Sequence, residues 1–191
     1  MFLDPARFGF VSALESHWEA IRAEYLALPG ELFDPWVQRQ MHGGGWSVFG
    51  LFAMGQPIPA ACAACPDTTW VLQQIPGLSM AGCSRLAPHT HVKPHVGWAA
   101  SVYRLHLPLV VPPGCGLRVG AETRTWVEGR CLIFDDTVEH EAWNDSELPR
   151  GVLLLDFLRP GVPGTARDHV PDEVRQYANQ LFGGHAGEPV P

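Results

Sequence analysis

The residues able to do chemistry in this 191-residue chain are nine histidines, five cysteines and a few arginines set in apolar surroundings. Five histidines are concentrated in one stretch: His89, His91, His95, His106 and His140. His17, His169 and His185 lie in terminal segments or beside a loop, where exposure is expected, and His42 stands in a glycine-rich loop with nothing to pair with it. Neutral imidazole is a good ligand for iron, copper or zinc. Two ligand sets stay open. In one, His89, His91 and His95 grip an ion from a single strand face, with His140 completing the site. In the other, His95 and His140 act alone. The Cys62-x2-Cys65 pair has no second pair to complete a zinc site, and Cys62, Cys65, Cys83, Cys115 and Cys131 read as reduced thiols.

An enclosed anion calls for arginine, whose planar fork pairs both oxygens of a carboxylate and stays charged. Arg150 opens an apolar run and is one candidate. Arg104 and His106 share a strand face between Leu105 and Leu107.

The elements that must hold these residues follow from the pattern. Asp4-Pro5 starts a helix, and apolar residues recur at Phe10, Leu14, Trp18, Ile21 and Tyr25 until Pro29-Gly30 stops it. A second helix runs from Pro171-Asp172 past Val174, Tyr177 and Leu181 to Gly183-Gly184. Between them, residues 46–53, 80–87, 101–110, 116–120, 123–128, 131–134 and 151–158 read as strands, with turns at Pro112-Pro113-Gly114 and Glu128-Gly129. Residues 68–75 read as a short helix begun at Asp67 or Thr68. Pro88 and Pro94 are expected to break any strand across 89–95. Asp135-Asp136 is expected to order the loop carrying His140, with a carboxylate near its ring.

Composition bounds the class. Hydrophobic residues at 46% and charged ones at 17% suit one folded domain, and 20 glycines with 18 prolines favour short strands over a helical bundle. A net charge of −7 without a basic run argues against nucleic acid and anionic membranes as partners. Asp4 and Arg7 interrupt any leader, so a cytoplasmic protein is expected.

One series of motifs goes further. Pro94-His95-Val96-Gly97, Arg104-Leu105-His106-Leu107, Cys115-Gly116-Leu117-Arg118-Val119, Glu122-Thr123-Arg124-Thr125-Trp126-x2-Gly129 and Phe134-Asp135-Asp136-Thr137-x2-His140-Glu141 resemble, in one register, the aspartyl/asparaginyl β-hydroxylase family. The resemblance implies a mainly β double-stranded β-helix (a cupin-like jelly roll) with flanking N- and C-terminal helices. It implies a single domain, with residues 1–45 a helical extension packed on the barrel, 46–160 the catalytic core and 161–191 a C-terminal loop and helix. The cofactors implied are iron(II), 2-oxoglutarate and O2, and the reaction is hydroxylation of the β-carbon of an aspartyl or asparaginyl group in an amino acid, carrier-bound residue or small peptide. His95 and His140 are the implied metal ligands and catalytic residues. Arg150 is assigned the far carboxylate of 2-oxoglutarate with help from Ser84, and Arg104 and His106 its metal-binding end. Gly97, where most non-haem iron oxygenases carry an acid, leaves two protein ligands. The same gap admits chloride, so an iron halogenase remains an alternative. Gly129, His140 and Asn144 also resemble half of a cupin motif, which keeps a metal-binding sensor built on His89, His91 and His95 in play.

Overall fold

Alternation along two long strands organises the molecule. In β7 (Val102–Val110), Leu105, Leu107 and Leu109 are fully buried on one face while Arg104 and His106 are buried on the other. In β12 (Arg150–Leu158), Leu153, Leu155 and Phe157 alternate in the same way with Val152, Leu154 and Asp156. The antiparallel register sets Leu155 beside Leu105 and Asp156 beside Arg104, so like faces meet across the pair. Residues 1–162 and 172–183 are described by the structure, a computed structural model. The expected Pro171 and Gly184 helix ends, and His169 and His185, lie outside the described residues.

The remaining strands are β1 (Phe2–Leu3), β2 (Asp34–Pro35), β3 (Trp46–Ala53), β4 (Gln56–Pro57), β5 (Leu78–Leu86), β6 (Thr90–His95), β8 (Cys115–Val119), β9 (Glu122–Arg124), β10 (Leu132–Phe134) and β11 (His140–Asn144). They form an eight-stranded sheet in the order β1-β10-β7-β12-β5-β3-β2, with β4 on β3, and a four-stranded sheet β6-β11-β8-β9. Two facing antiparallel sheets in this order make a jelly roll, the expected double-stranded β-helix.

The helices are α1 (Val11–Ser16), α2 (Trp18–Ala27), α3 (Pro59–Ala64), α4 (Pro66–Leu72) and α5 (Asp172–Gly183). On the outer face of the large sheet, Leu14, Ile21, Tyr25, Val71 and Leu72 join Leu105, Leu107, Leu153 and Leu155 in one apolar core. Between the sheets, Trp46, Leu86, Val92, Leu117, Val119, Trp126 and Phe134 form a second core, which Val174 of α5 joins. Segment 1–45 is not only helical: its β1 and β2 extend the large sheet at either edge.

Local differences from the sequence reading have local causes. The first helix divides at His17, which leaves helical angles (φ −102°, ψ 6°), so α1 and α2 are separate. The helix expected over 68–75 is shifted to 66–72 because Pro66 occupies its first turn and the Glu24 carboxylate of α2 accepts the N–H groups of Asp67 (2.8 Å) and Thr68 (2.9 Å). Pro94 does not break β6. Among the described residues that strand is an edge, paired with β11 alone, so the missing N–H interrupts no second ladder. His140 begins a strand rather than riding on a loop.

Candidate active site

His95 and His140 are drawn together by an irregularity in pairing. Along the β6–β11 ladder Val92 faces Ala142 and His95 faces His140, so β6 advances three residues while β11 advances two. The extra residue is a β-bulge containing Pro94, and it inverts the alternation of β6. Val92 already points between the sheets; the bulge brings His95 to that side as well, and leaves His91 and Lys93 outside. The two imidazoles lie 4.1 Å apart, centre to centre.

Each ring is oriented by its own backbone. His95 Nδ1 lies 2.7 Å from the Lys93 carbonyl and His140 Nδ1 2.9 Å from the Val138 carbonyl. Protons on Nδ1 leave both Nε2 lone pairs for a metal. Burial, with Arg104 nearby, holds both rings below the usual histidine range, His140 down to about 3. Both are therefore neutral at pH 7, as ligands must be.

Asp136, almost fully buried, approaches His140 Nε2 at 3.3 Å and Arg104 Nη1 at 2.7 Å. Its neighbour Asp135 turns away to accept the backbone N–H and hydroxyl of Thr137 and the guanidinium of Arg159. A side chain at Gly97 would collide with Asp136, since an added Cβ would stand 1.5 Å from its Oδ2. The carboxylate thus occupies the space that a residue 97 side chain would fill.

Arg104 is gripped by Asp156 through hydrogen bonds from Nε (2.8 Å) and Nη2 (2.9 Å), which use two of its five N–H bonds, while Asp136 forms an ion pair with Nη1. Arg150 is different. It is 3% exposed, its guanidinium lies 4.8 Å from the centre of the Trp126 ring, and its Nε and Nη1 have no hydrogen-bond partner. Burial without a counter-ion lowers its pKa to about 10, so it still carries its charge at pH 7. Trp126 Nε1 donates to His106 Nδ1 (3.3 Å), which puts the His106 proton on Nε2, and that atom is likewise buried without a partner. Ser84 Oγ accepts from Trp46 Nε1 (3.0 Å) and keeps its own proton to donate. The outcome is a cluster of buried donors in which Arg150 Nε and Nη1 and His106 Nε2 lack an acceptor.

Among the described residues, the other histidines do not join this site. His89, at φ 53°, contacts Glu147, and His91 contacts Glu141 at 2.6 Å, both on the outside. His42 is not partnerless: it accepts from the Gly44 and Trp46 N–H groups (3.1 Å each) and reaches the Trp36 carbonyl. Among the described residues no cluster of three or more His, Cys, Asp or Glu side chains is placed to hold a metal.

The sequence pattern of aspartyl/asparaginyl β-hydroxylases matches residues 15–160. The chain belongs to the aspartyl/asparaginyl β-hydroxylase family. Human aspartyl/asparaginyl beta-hydroxylase is 37% identical over 172 residues, covering 84% of this chain and 22% of that protein. The ornithine lipid ester-linked acyl 2-hydroxylase of Rhizobium tropici is 37% identical over 168 residues, covering 82% of this chain and 60% of the relative. The chain thus spans under a quarter of the human relative and about three fifths of the bacterial one. A Pseudomonas putida prolyl-4-hydroxylase structure superposes with a TM-score of 0.50 at 17% identity over 79% of this chain and 100% of that one, a likeness of fold. Among the described residues no helix is long and apolar enough to cross a membrane.

The family motifs included Trp126 without assigning it a role and did not reach Asp156 or Trp46; these three orient His106, Arg104 and Ser84 respectively. A signal existed for Asp156: it is an acid in the otherwise apolar run Gly151–Leu158, an even number of residues from Arg150 and hence on its face. The two indoles look like ordinary core residues in sequence, and only the fold shows what their N–H groups meet.

Proposed function

We propose that this member of the aspartyl/asparaginyl β-hydroxylase family is an iron(II)- and 2-oxoglutarate-dependent dioxygenase that hydroxylates a C–H bond. The observation that carries the reading is the buried, unpartnered guanidinium of Arg150 beside the equally unpartnered His106 Nε2. A buried cation without a counter-ion costs several kcal/mol, and this one is compensated when a carboxylate enters. His95 and His140 fit a ferrous ion because both rings are neutral and present Nε2. The cosubstrate's far carboxylate is assigned to Arg150, with Ser84 assisting, and its other end to His106 and the N–H bonds of Arg104 that Asp156 leaves free. With both bound, iron and 2-oxoglutarate use O2 to convert C–H to C–OH, releasing succinate and CO2.

The protein's part is positional. Backbone carbonyls fix the imidazoles, Asp156 and Asp136 hold Arg104, and Trp126 sets the His106 tautomer and roofs Arg150. Asp136 can accept a hydrogen bond from a water between the histidines. That carboxylate, in the space beside Gly97, would repel chloride, which favours hydroxylation over halogenation. We assign residues 46–160 as the catalytic core, 1–45 as the N-terminal extension packed on it and 161–191 as the C-terminal segment. The family name points to an aspartyl or asparaginyl β-carbon, while one relative is named for an acyl chain.

The test is anaerobic addition of iron(II) and 2-oxoglutarate, followed by the weak visible charge-transfer band of the chelate. The band should form in the parent and vanish in His95→Ala, and Arg150→Met should need far more 2-oxoglutarate to produce it. A band unchanged in both variants would overturn the reading.

A further inference from the structure

A cavity of about 190 Å³ connects the two apolar cores. His95, Gly97 and Arg104 border it near the candidate metal site, and Trp46, Val48 and Met80 of the core between the sheets continue its wall. Elsewhere its lining comes from Ala53, Ile58 and Leu181, which belong to the core outside the large sheet. The passage exists because two glycines face one another across β3 and β5, Gly50 beside Gly82. A Cβ on Gly50 would stand 3.3 Å from the side-chain ends of both Ile58 and Leu181, so a branched side chain there would close it. Neither glycine has positive φ, so no turn requires them. The order β7-β12-β5-β3 sets Gly50 three strand spacings from Arg104, about 14 Å at ~4.8 Å each. The Gly50 end is therefore remote from the groups assigned to iron and 2-oxoglutarate.

What the passage can hold follows from its lining. Its polar side chains are engaged: Ser84 accepts from Trp46, Arg104 donates to Asp156, Tyr177 donates to Asp34, and Gln38 accepts from Trp36. Around Gly50 the lining side chains, those of Phe52, Ile58, Ala178 and Leu181, are hydrocarbon. A buried water needs two to four polar partners, whereas an apolar cavity of ~150 Å³ stays dry and takes up benzene or xenon. Iron(II) and 2-oxoglutarate are charged and would lose their hydration here. Dioxygen is small, uncharged and a poor hydrogen-bonding partner, and such a solute gains by leaving water for apolar space.

Resting on the oxygenase reading, we propose that this passage binds dioxygen and delivers it from the Gly50 side to the metal site at His95. Xenon, an inert gas of similar solubility in apolar space, is the probe of occupancy in the metal-free protein. Methyl NMR under xenon pressure should show saturable shifts at Val48, Ile58 and Leu181, and none at Leu14, which is fully buried but does not line the cavity. Gly50→Val should weaken xenon binding at least tenfold. Val48→Phe, at a half-buried position that tolerates bulk, should do likewise, with cooperative melting as the check on each. Delivery is read by mixing the iron(II)–2-oxoglutarate protein with oxygen and following the bleaching of its visible band. The second-order rate constant for oxygen should fall at least threefold in both variants, while the 2-oxoglutarate concentration needed to form the band stays at the parent value.

Absence of saturable methyl shifts overturns the proposal, as does a bleaching rate constant unchanged in both folded variants. A raised 2-oxoglutarate requirement with normal bleaching would give the passage to the cosubstrate and also overturn it. If no band forms in the parent, the oxygenase reading fails and takes the oxygen assignment with it, even where xenon binds. A band that forms normally in a protein that admits no xenon leaves the oxygenase intact and removes the gas site alone.

Discussion

The two faces of the large sheet are made by the same strands and obey opposite rules. Outward, Leu105, Leu107, Leu153 and Leu155 are fully buried against helices in an all-apolar core. Inward, one residue along from each, stand Arg104, His106, Leu154 and Asp156, and further along β12 the unpartnered Arg150. The outer face satisfies every packing rule and contributes stability. The inner face violates them by burying charge and leaving donors unpaired, a cost borne by the outer core. Stability and chemistry are thus separated by a single residue of register, and substitutions on either side should separate them experimentally.

The largest effect is expected inside. His140→Ala removes one of two proposed protein ligands, so iron(II) affinity should fall by more than the ~10–100-fold typical of losing an outer-shell partner. Equilibrium iron binding measures this. Leu155→Ala, on the outer face of the large sheet, should leave iron affinity alone and cost about 2–5 kcal/mol by denaturant unfolding. If Leu155→Ala instead weakened iron binding as His140→Ala does, the two faces would not be independent.

Arg150→Met reverses the expected sign of the stability change. Removing an uncompensated buried cation should leave the cosubstrate-free protein as stable as the parent or stabilise it by about 1–4 kcal/mol, while 2-oxoglutarate binding is largely lost. A parent more stable than Arg150→Met without 2-oxoglutarate would show that the guanidinium has a partner within the fold.

How much of this was legible in sequence follows the same division. The outer face and its strands could be read, because Leu105, Leu107, Leu153 and Leu155 repeat with period two and nothing interferes. The family resemblance also named His95, His140, Arg104, His106 and Arg150, whose roles are proposals, and the fold brings His95 and His140 together. What stayed hidden depends on long-range geometry: the bulge at Pro94 that turns His95 inward, the pairing of Arg104 with Asp156, and the Glu24 cap on a helix more than forty residues away. A proline in a strand announces an irregularity but not that the strand continues past it with its faces exchanged.

Acid should affect the interior selectively. His42 is buried and neutral, accepts two backbone N–H bonds, and is held below the usual histidine range by desolvation and by Arg39, against the opposing pull of the Trp36 carbonyl. A histidine with a lowered folded pKa takes up its proton more readily when unfolded. Its stabilising contribution is therefore complete above about pH 6.5 and declines as pH falls below it, by at most ~1.4 kcal/mol per unit. In metal-free protein His95, His106 and His140 act with the same sign, so the measurement is the difference between parent and His42→Gln. Between pH 7 and 5 the parent should lose more stability than the variant, and equal slopes would show that His42 titrates normally.

The smallest effect is expected at His91, and it bears most directly on which ligand set is right. His91 shares a strand with His95, four residues away, and in a regular strand both would point the same way. The bulge places them on opposite sides: His91 is half exposed beside Glu141, which also binds Arg118, and its ring meets Trp143 on the outer surface. An exposed pair of this kind is worth about 1 kcal/mol or less. His91→Ala should therefore change unfolding free energy by no more than that and leave iron(II) affinity at the parent value, where His140→Ala should lower it sharply. The opposite ranking would mean that β6 is regular in solution, that its histidines point together, and that the metal belongs to His89, His91 and His95.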